Sequence, residues 1–209
     1  MNNKEAFFVT GIGTSVGKTI CSAILAQWWK AAYWKPVQSG DLQASDSMTV
    51  QRITTDLLEI HQPRYALNTA CSPHHSAALD QQKIILTDFT LPKSEQPLII
   101  EGAGGLYVPL NEKDFIIDLI QYLQVKVVLV CQDYLGCINH TILSIRALMS
   151  NKILLSHIVF NGEFESATKS IIIANLPKDT QVIEIPWLDK LDKKEVVEAV
   201  NKLKKINKN

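Results

Sequence analysis

The sequence lacks the features that would place a protein in a membrane or in an oxidising compartment. No apolar run approaches the roughly 18 residues of a membrane-spanning helix, and residues 1–5 carry no apolar run of the kind found in signal peptides. The four cysteines show no Cys-x-x-Cys spacing, so they are interpreted as free thiols and not as a zinc site or a disulfide framework. We therefore expect a cytoplasmic protein with no membrane partner.

An excess of charge of either sign is also missing. Lysine and arginine number 21, aspartate and glutamate number 21, and the formal net charge is zero. No general attraction to nucleic acid follows from this balance, so an anionic ligand must be held by local groups. The chain of 209 residues shows no internal repeat and no linker, and its length suits one α/β domain. We expect a single domain over residues 1–209.

The strongest pattern that is present is a glycine-rich loop between a strand and a helix. An apolar run at 6–9 is typical of a buried strand, a helical pattern begins at Ile20, and Thr-Gly-Ile-Gly-Thr-Ser-Val-Gly-Lys-Thr lies at 10–19. Such glycines let backbone N–H groups surround phosphate oxygens, and the helix N-terminus adds partial positive charge. The segment predicts a phosphate-binding loop, with Lys18 on the β- and γ-phosphates and Thr19 on Mg²⁺. A plain strand-to-helix turn is the less favoured interpretation.

Apolar strands alternate with helical patterns along the whole chain. The predicted strands are 6–9, 33–37, 98–100, 125–131, 153–160 and 181–185, and the predicted helices are 20–32, 48–60, 114–123, 141–149, 166–176 and 193–208. This alternation predicts an α/β fold of the P-loop type, with a mostly parallel sheet and helices on both faces.

Charged and polar residues follow several of these strands. Glu101, at the tip of the apolar strand 98–100 and before a run of glycines, is interpreted as an acidic Mg²⁺-binding position in preference to an incidental residue of a glycine turn. Lys35 is either a site residue or a solvated lysine at a strand end. Asp46 is either a metal ligand or a first-turn residue that favours the helix dipole. Because open parallel sheets bind ligands at the carboxyl ends of their strands, these residues, with Asn161, could line one crevice.

Seven motifs in their order along the chain resemble dethiobiotin synthetase. They are Phe-Val-Thr-Gly-x-x-Thr-x-Val-Gly-Lys-Thr (8–19), Lys-Pro-Val-x-Ser-Gly (35–40), Ser-Asp (45–46), Ser-Pro-His (72–74), Glu-Gly-Ala-Gly-Gly (101–105), Leu-Gly-Cys-Ile-Asn-His (135–140) and Ile-Pro-Trp-Leu (185–188). The resemblance implies an ATP-dependent cyclo-ligase of biotin biosynthesis. Such an enzyme joins CO₂ to 7,8-diaminopelargonic acid through a carbamate and a carbamic-phosphoric anhydride, and releases dethiobiotin, ADP and phosphate.

The resemblance also implies roles for individual residues. It assigns catalysis to Lys18, Lys35, Thr14 and Ser39, and Mg²⁺ binding to Thr19, Asp46 and Glu101. The implied nucleotide-binding residues are Gly13, Thr14, Ser15, Val16, Gly17, Lys18, Thr19, Asp46, Glu101, Gly102, Ala103, Gly104, Asn161, Pro186, Trp187 and Leu188, of which Asn161 and 186–188 match adenine-binding positions. Ser39 is also an implied substrate contact. Leu135, Gly136 and Asn139 of a neighbouring subunit would hold the substrate carboxylate, which implies a homodimer.

The chain departs from the family's pattern at several positions. Relatives often have Thr-Asp where Ile12 and Gly13 stand and commonly have an acidic residue in place of Ser15. Some relatives carry a basic residue in place of Tyr134. Because the phosphate cradle is mostly backbone, ATP binding should survive these changes.

The alternative functions are those of a partitioning or metal-pump ATPase, a nucleotide switch, and an amidoligase of the cobyrinic acid type. The first would need an early lysine where Gly13 stands, and the last a glutaminase domain for which 209 residues leave no room.

Overall fold

Seven strands form one central sheet in the computed structural model, which describes residues 5–55 and 58–206. The strands are β1 Ala6–Gly11, β2 Ala32–Trp34, β3 Val37–Ser39, β4 Ile60–His61, β5 Tyr65–Leu67, β6 Leu98–Gly105, β7 Lys126–Cys131, β8 Leu155–Asn161 and β9 Gln181–Ile185. The helices are α1 Lys18–Trp29, α2 Asp46–Ile53, α3 Pro73–Leu79, α4 Ile116–Leu123, α5 Cys137–Ser150, α6 Ser166–Ile173 and α7 Lys193–Ile206, and a short 3-10 turn spans Leu86–Asp88.

The order of strands in the sheet is β4-β2-β6-β1-β7-β8-β9, and every described strand pair is parallel. β1 lies in the interior of the sheet between β6 and β7, and its residues Phe8 and Val9 are completely buried. A run of consecutive apolar residues is what a parallel strand covered on both faces requires. The core of the protein therefore surrounds the strand that leads into the glycine-rich loop.

The chain leaves this central region in two directions. From β1 it steps through β2 to the edge strand β4, and from β6 it steps through β7 and β8 to the opposite edge. Because parallel crossovers are right-handed, connections that run in opposite directions place their helices on opposite faces. Accordingly, α1 packs against α2 and α7, whereas α5 packs against α6. The predicted α/β class is confirmed. Of the helices described, none has the length and apolar character needed to cross a membrane.

Some predicted element boundaries are wrong. The predicted strand 33–37 is divided at Lys35 and Pro36, because proline offers no N–H to a ladder, and β3 instead pairs with β5 in a separate two-stranded sheet. Gln38 and Ser39, which follow the predicted strand 33–37, belong to β3. Lys35 therefore lies outside the main sheet, directly after the carboxyl end of β2.

Helix limits also differ from the sequence pattern. The predicted helix 48–60 begins earlier, at Asp46, where the Ser45 hydroxyl accepts a hydrogen bond from the Met48 amide at 3.3 Å, and it ends at Ile53. Leu57, which the pattern included, lies outside the described residues. α1 starts at Lys18 and stops at Trp29, because Lys30 adopts a left-handed conformation with φ of 52°.

Candidate active site

The glycine-rich loop joins β1 to α1 and wraps around the Lys18 side chain. Gly17 has a left-handed φ of 85°, and a Cβ atom there would lie 2.1 Å from Nδ2 of Asn161, so only glycine fits. Nζ of Lys18 donates a hydrogen bond to the Gly13 carbonyl at 3.1 Å. Burial is the main cause that lowers the pKa of Lys18, and the positive charge of Lys35 adds to it. The carboxylates of Glu101 and Asp46 act on this ammonium group only at a distance. An anion bound in the loop would give it a direct partner of opposite charge.

Three oxygen-bearing side chains meet at the first turn of α1. Oγ1 of Thr19 lies 2.8 Å from Oε1 of Glu101 and 3.0 Å from Oδ1 of Asp46. Nζ of Lys35 contacts both acids, at 2.7 Å from Oδ2 of Asp46 and 3.1 Å from Oε1 of Glu101. Burial alone would lower the pKa of Lys35, but the two carboxylates outweigh it and raise this pKa. Lys35 therefore keeps its charge inside the protein.

Each member of this cluster is positioned by a different element. Thr19 lies in the first turn of α1, Lys35 directly follows β2, and Glu101 lies in β6 next to β1. Asp46 is the first residue of α2, and its backbone N–H donates to Oε1 of Gln38 at 3.3 Å. Burial opposes ionisation of Asp46, but its ion pair with Lys35 is stronger in effect and leaves the pKa of Asp46 below its usual value.

The oxygen cluster fits a hard divalent cation. Two carboxylates and one hydroxyl are ligands of the kind that Mg²⁺ uses beside a phosphate group. Within residues 5–55 and 58–206, no group of three or more His, Cys, Asp or Glu side chains forms a metal cluster. The site depends instead on the Thr19 hydroxyl, and it would be completed by oxygens from a bound nucleotide.

The loop and the cluster face one cleft of about 750 Å³. The predicted site residues that line it are Thr14, Ser15, Gly17, Lys18, Thr19, Lys35, Ser39, Asp46, Glu101, Ala103 and Gly104. Oγ of Ser39 is buried and finds no hydrogen-bond partner in the described part of the chain. A buried hydroxyl without a partner is costly unless a ligand or water satisfies it.

Three other predicted nucleotide-binding residues, Gly13, Val16 and Gly102, do not line this cleft. Gly13 and Val16 border a smaller cavity of about 480 Å³ beside the outer face of the loop. Gly102 lies beside β1, where a Cβ atom would approach the Phe8 ring to 2.6 Å. A side chain at position 102 would therefore have to displace the Phe8 ring.

The residues expected at the adenine lie next to the loop on another side. The amide nitrogen of Asn161 donates to the Val16 carbonyl at 3.1 Å, so Asn161 contacts the loop directly. The Trp187 ring lies over Gly162, at 3.2 Å from the position of a Cβ atom there. Pro186, Trp187 and Leu188 do not line the main cleft, although Leu191 of the same connection does.

The residues expected at a subunit contact lie apart from the cleft. Leu135, Gly136 and Asn139 lie at or just before the start of α5, and all three are exposed. Nearby, Tyr134 and His140 border the smaller cavity beside Gly13, and the Tyr134 hydroxyl lies 2.7 Å from Nδ1 of His140. The roles of all these residues remain predictions.

Two polar residues of the site were missed by the sequence patterns. Tyr33 is fully buried and its hydroxyl donates to Oε2 of Glu101 at 2.8 Å. Gln38 holds the start of α2 and also donates to the Gly40 carbonyl at 2.9 Å. The available signal was the spacing of two residues between Tyr33 and Lys35, which places both side chains on one face of a strand.

A strand, a glycine-rich loop with Lys18 and Thr19, and an acidic residue on the neighbouring strand together define a P-loop nucleotide-binding protein. A family profile described as an AAA domain matches residues 5–195. The ATP-dependent dethiobiotin synthetase of Christiangramia forsetii is 43% identical over 201 residues, which cover 95% of this chain and 97% of that protein. The synthetase of Cytophaga hutchinsonii is 43% identical over 171 residues, covering 81% and 82%.

The chain belongs to the dethiobiotin synthetase family. The predicted resemblance is therefore confirmed, and with it the predicted class of ATP-dependent ligase in biotin biosynthesis. Among solved structures, a ParA family ATPase from Chlorobium tepidum superposes with a TM-score of 0.53 over 100% of this chain and 94% of that one. At 12% sequence identity, this likeness shows a shared fold only.

Proposed function

We propose that this protein closes the cyclic urea of dethiobiotin from 7,8-diaminopelargonic acid, CO₂ and ATP. The observation that carries the proposal is the pairing of two buried lysines, Lys18 and Lys35, with an oxygen cluster in one cleft next to the phosphate loop. Membership of the synthetase family supports the same reaction. A cytoplasmic location remains a prediction from the sequence.

The two lysines suit a reaction between anions. One amine of the substrate takes up CO₂ as a carbamate, and a carbamate oxygen attacks the γ-phosphorus as the bond to ADP breaks. The second amine then attacks the carbonyl carbon of the resulting anhydride and phosphate leaves. Lys18 and Lys35 would offset the charge that accumulates in the first step, because their ammonium groups are already desolvated and oriented.

The cleft also offers groups that could orient the carbamate. Ser39 lines the cleft, and its buried hydroxyl has no hydrogen-bond partner among the described residues, so a carbamate oxygen or nitrogen could hydrogen-bond to it. Thr14 lines the same cleft from the phosphate loop. Mg²⁺ held by Thr19, Asp46 and Glu101 would supply further positive charge beside the phosphates.

We further propose a homodimer in which α5 of one subunit completes the substrate site of the other. In support, three apolar side chains around the start of α5 are exposed: Leu135, just before the helix, is fully accessible, and Ile138 and Leu143 of α5 are also exposed. Gly136 and Asn139 lie at the N-terminal end of this 14-residue helix, where backbone N–H groups favour a carboxylate. Asn161 and residues 186–188 would contact the adenine.

The reaction is tested by measuring phosphate release from ATP with and without each co-substrate. We expect release to require both diaminopelargonate and bicarbonate, because the γ-phosphoryl group is transferred to a carbamate formed from the two. Equal phosphate release without the diamine would refute the synthetase proposal. It would favour the alternative of a partitioning-type ATPase or a nucleotide switch.

The subunit arrangement is tested by Asn139→Ala. We expect KM for the diamine to rise about 10- to 150-fold with little change in KM for ATP, since the loss of one hydrogen bond to a charged group costs about 1.5–3 kcal/mol. Steady-state kinetics at saturating concentrations of the second substrate measure both constants. Asn175→Ala, which changes an asparagine after α6, is the matched control and should leave both constants unchanged. An effect of Asn139→Ala confined to ATP would contradict the proposed contact.

A further inference from the structure

We propose that Tyr33 is a positioning residue that holds Glu101 in the orientation needed for the Mg²⁺-nucleotide complex. None of the motifs that place the chain in its family includes Tyr33. The inference rests on the proposed function only in taking Glu101 as part of the Mg²⁺ site.

The two oxygens of Glu101 have different surroundings. Oε1 lies in the oxygen cluster, with Thr19 Oγ1 at 2.8 Å and Lys35 Nζ at 3.1 Å. Oε2 points away from that cluster and accepts the Tyr33 hydroxyl at 2.8 Å. Glu101 is 1% exposed and Tyr33 is not exposed at all. Water therefore has little access to replace the phenol if it is removed.

The geometry of the sheet explains why Tyr33 and Lys35 reach the same carboxylate. β2 and β6 are parallel neighbours, with Tyr33 opposite Ile99 and Trp34 opposite Ile100, so the chain brings Lys35 beside Glu101. Lys35 directly follows β2 and reaches the carboxylate that Tyr33 also contacts. Tyr33 and Lys35 thus approach one carboxylate from one short segment, and each contacts a different oxygen.

A carboxylate held at one oxygen only can rotate about its terminal bond, whose torsional minima are broad. The Tyr33 hydroxyl removes this freedom, because rotation would break a buried hydrogen bond to a charged group. Its effect should therefore appear where the direction of Oε1 matters, which is Mg²⁺ binding with nucleotide. A group that only fills space would show no such selectivity.

The test compares Tyr33→Phe with the unchanged protein, using a non-hydrolysable ATP analogue as the probe. Titration calorimetry measures the Kd of the analogue at saturating Mg²⁺ and again in the presence of EDTA. The ratio of the two constants reports how strongly Mg²⁺ assists nucleotide binding. We expect Tyr33→Phe to reduce this ratio about tenfold, as is common when an outer partner of a metal ligand is removed. The Kd in EDTA should stay within about twofold.

The matched control is Tyr65→Phe. Tyr65 also donates its hydroxyl to a carboxylate, Asp88 Oδ2 at 2.5 Å, but neither residue lines the cleft. This variant should keep the full Mg²⁺ assistance. An unchanged ratio in Tyr33→Phe, or equal weakening with Mg²⁺ and with EDTA, would overturn the positioning role. Failure of diamine-dependent phosphate release in the unchanged protein would refute the proposed reaction instead, and the binding ratios would still decide the role of Tyr33.

Discussion

Lys18→Gln should lower kcat/KM for ATP by about 10²–10³-fold in the diamine-dependent reaction, because one preoriented charged donor to the transferring phosphoryl group is lost. The side chain is 8% exposed and curls over the loop toward the Gly13 carbonyl, so its charge is delivered where phosphate oxygens would lie. Glutamine keeps a hydrogen-bond donor but neither the charge nor the reach. Phosphate release at varied ATP concentration measures the effect.

The fold of the Lys18→Gln variant should be intact. Burial already disfavours the charged form of Lys18, as its lowered pKa indicates, so a neutral side chain relieves a desolvation cost. Its thermal midpoint should therefore equal or exceed that of the unchanged protein. Lys83→Gln is the matched control, since Lys83 is exposed and pairs with Glu112 at 3.3 Å outside the cleft. Near-normal turnover of Lys18→Gln would rule out the assigned role.

Lys35→Met should damage both stability and catalysis. Lys35 is 4% exposed and neutralises Asp46 and Glu101, so its removal leaves the buried Glu101 carboxylate and the half-buried Asp46 carboxylate without their nearest cation. Breaking a buried ion pair in this way costs about 3–5 kcal/mol. Urea unfolding measures this loss, and the phosphate-release assay should show a drop of at least about 10²-fold, typical of a lost charged donor.

Two comparisons make the Lys35→Met result specific. Lys169→Met breaks an ion pair of the same length, 2.7 Å to Glu184, but on the surface, and should cost less than about 1 kcal/mol. Mg²⁺ should stabilise Lys35→Met more than the unchanged protein, because a cation among Thr19, Asp46 and Glu101 replaces the missing charge. Equal stabilisation of both proteins by Mg²⁺ would contradict this assignment of the metal ligands.

Sequence patterns predicted the parts of this protein that depend on neighbours along the chain. The apolar run 6–9 and the glycines before Lys18 are local signals, and the structure has a buried strand and a helix start at those places. Boundaries were less predictable where tertiary packing competes with helical period, as in the predicted helix 48–60, which ends at Ile53.

For several residues the chain alone left two interpretations open. Lys35 could have been a solvated lysine at a strand end, but it is buried between two acids. Asp46 lies at a helix start, as its dipole-favoured interpretation requires, and it also meets Thr19 and Lys35. The Asp46 carboxylate can therefore favour the dipole of α2 and form an ion pair with Lys35 at the same time.

The sequence by itself determined the phosphate loop, the α/β class and the family, because short motifs and the periods of apolar residues carry that information. Only the tertiary structure decided that Thr19 and Glu101, which are 82 positions apart, lie within 2.8 Å, and that Tyr33 holds the other oxygen of Glu101. These distances depend on the order and register of β1, β2 and β6, which are set by packing between distant segments. The glycine-rich loop can bind phosphate by itself, but only the assembled fold places Lys35, Asp46 and Glu101 beside it.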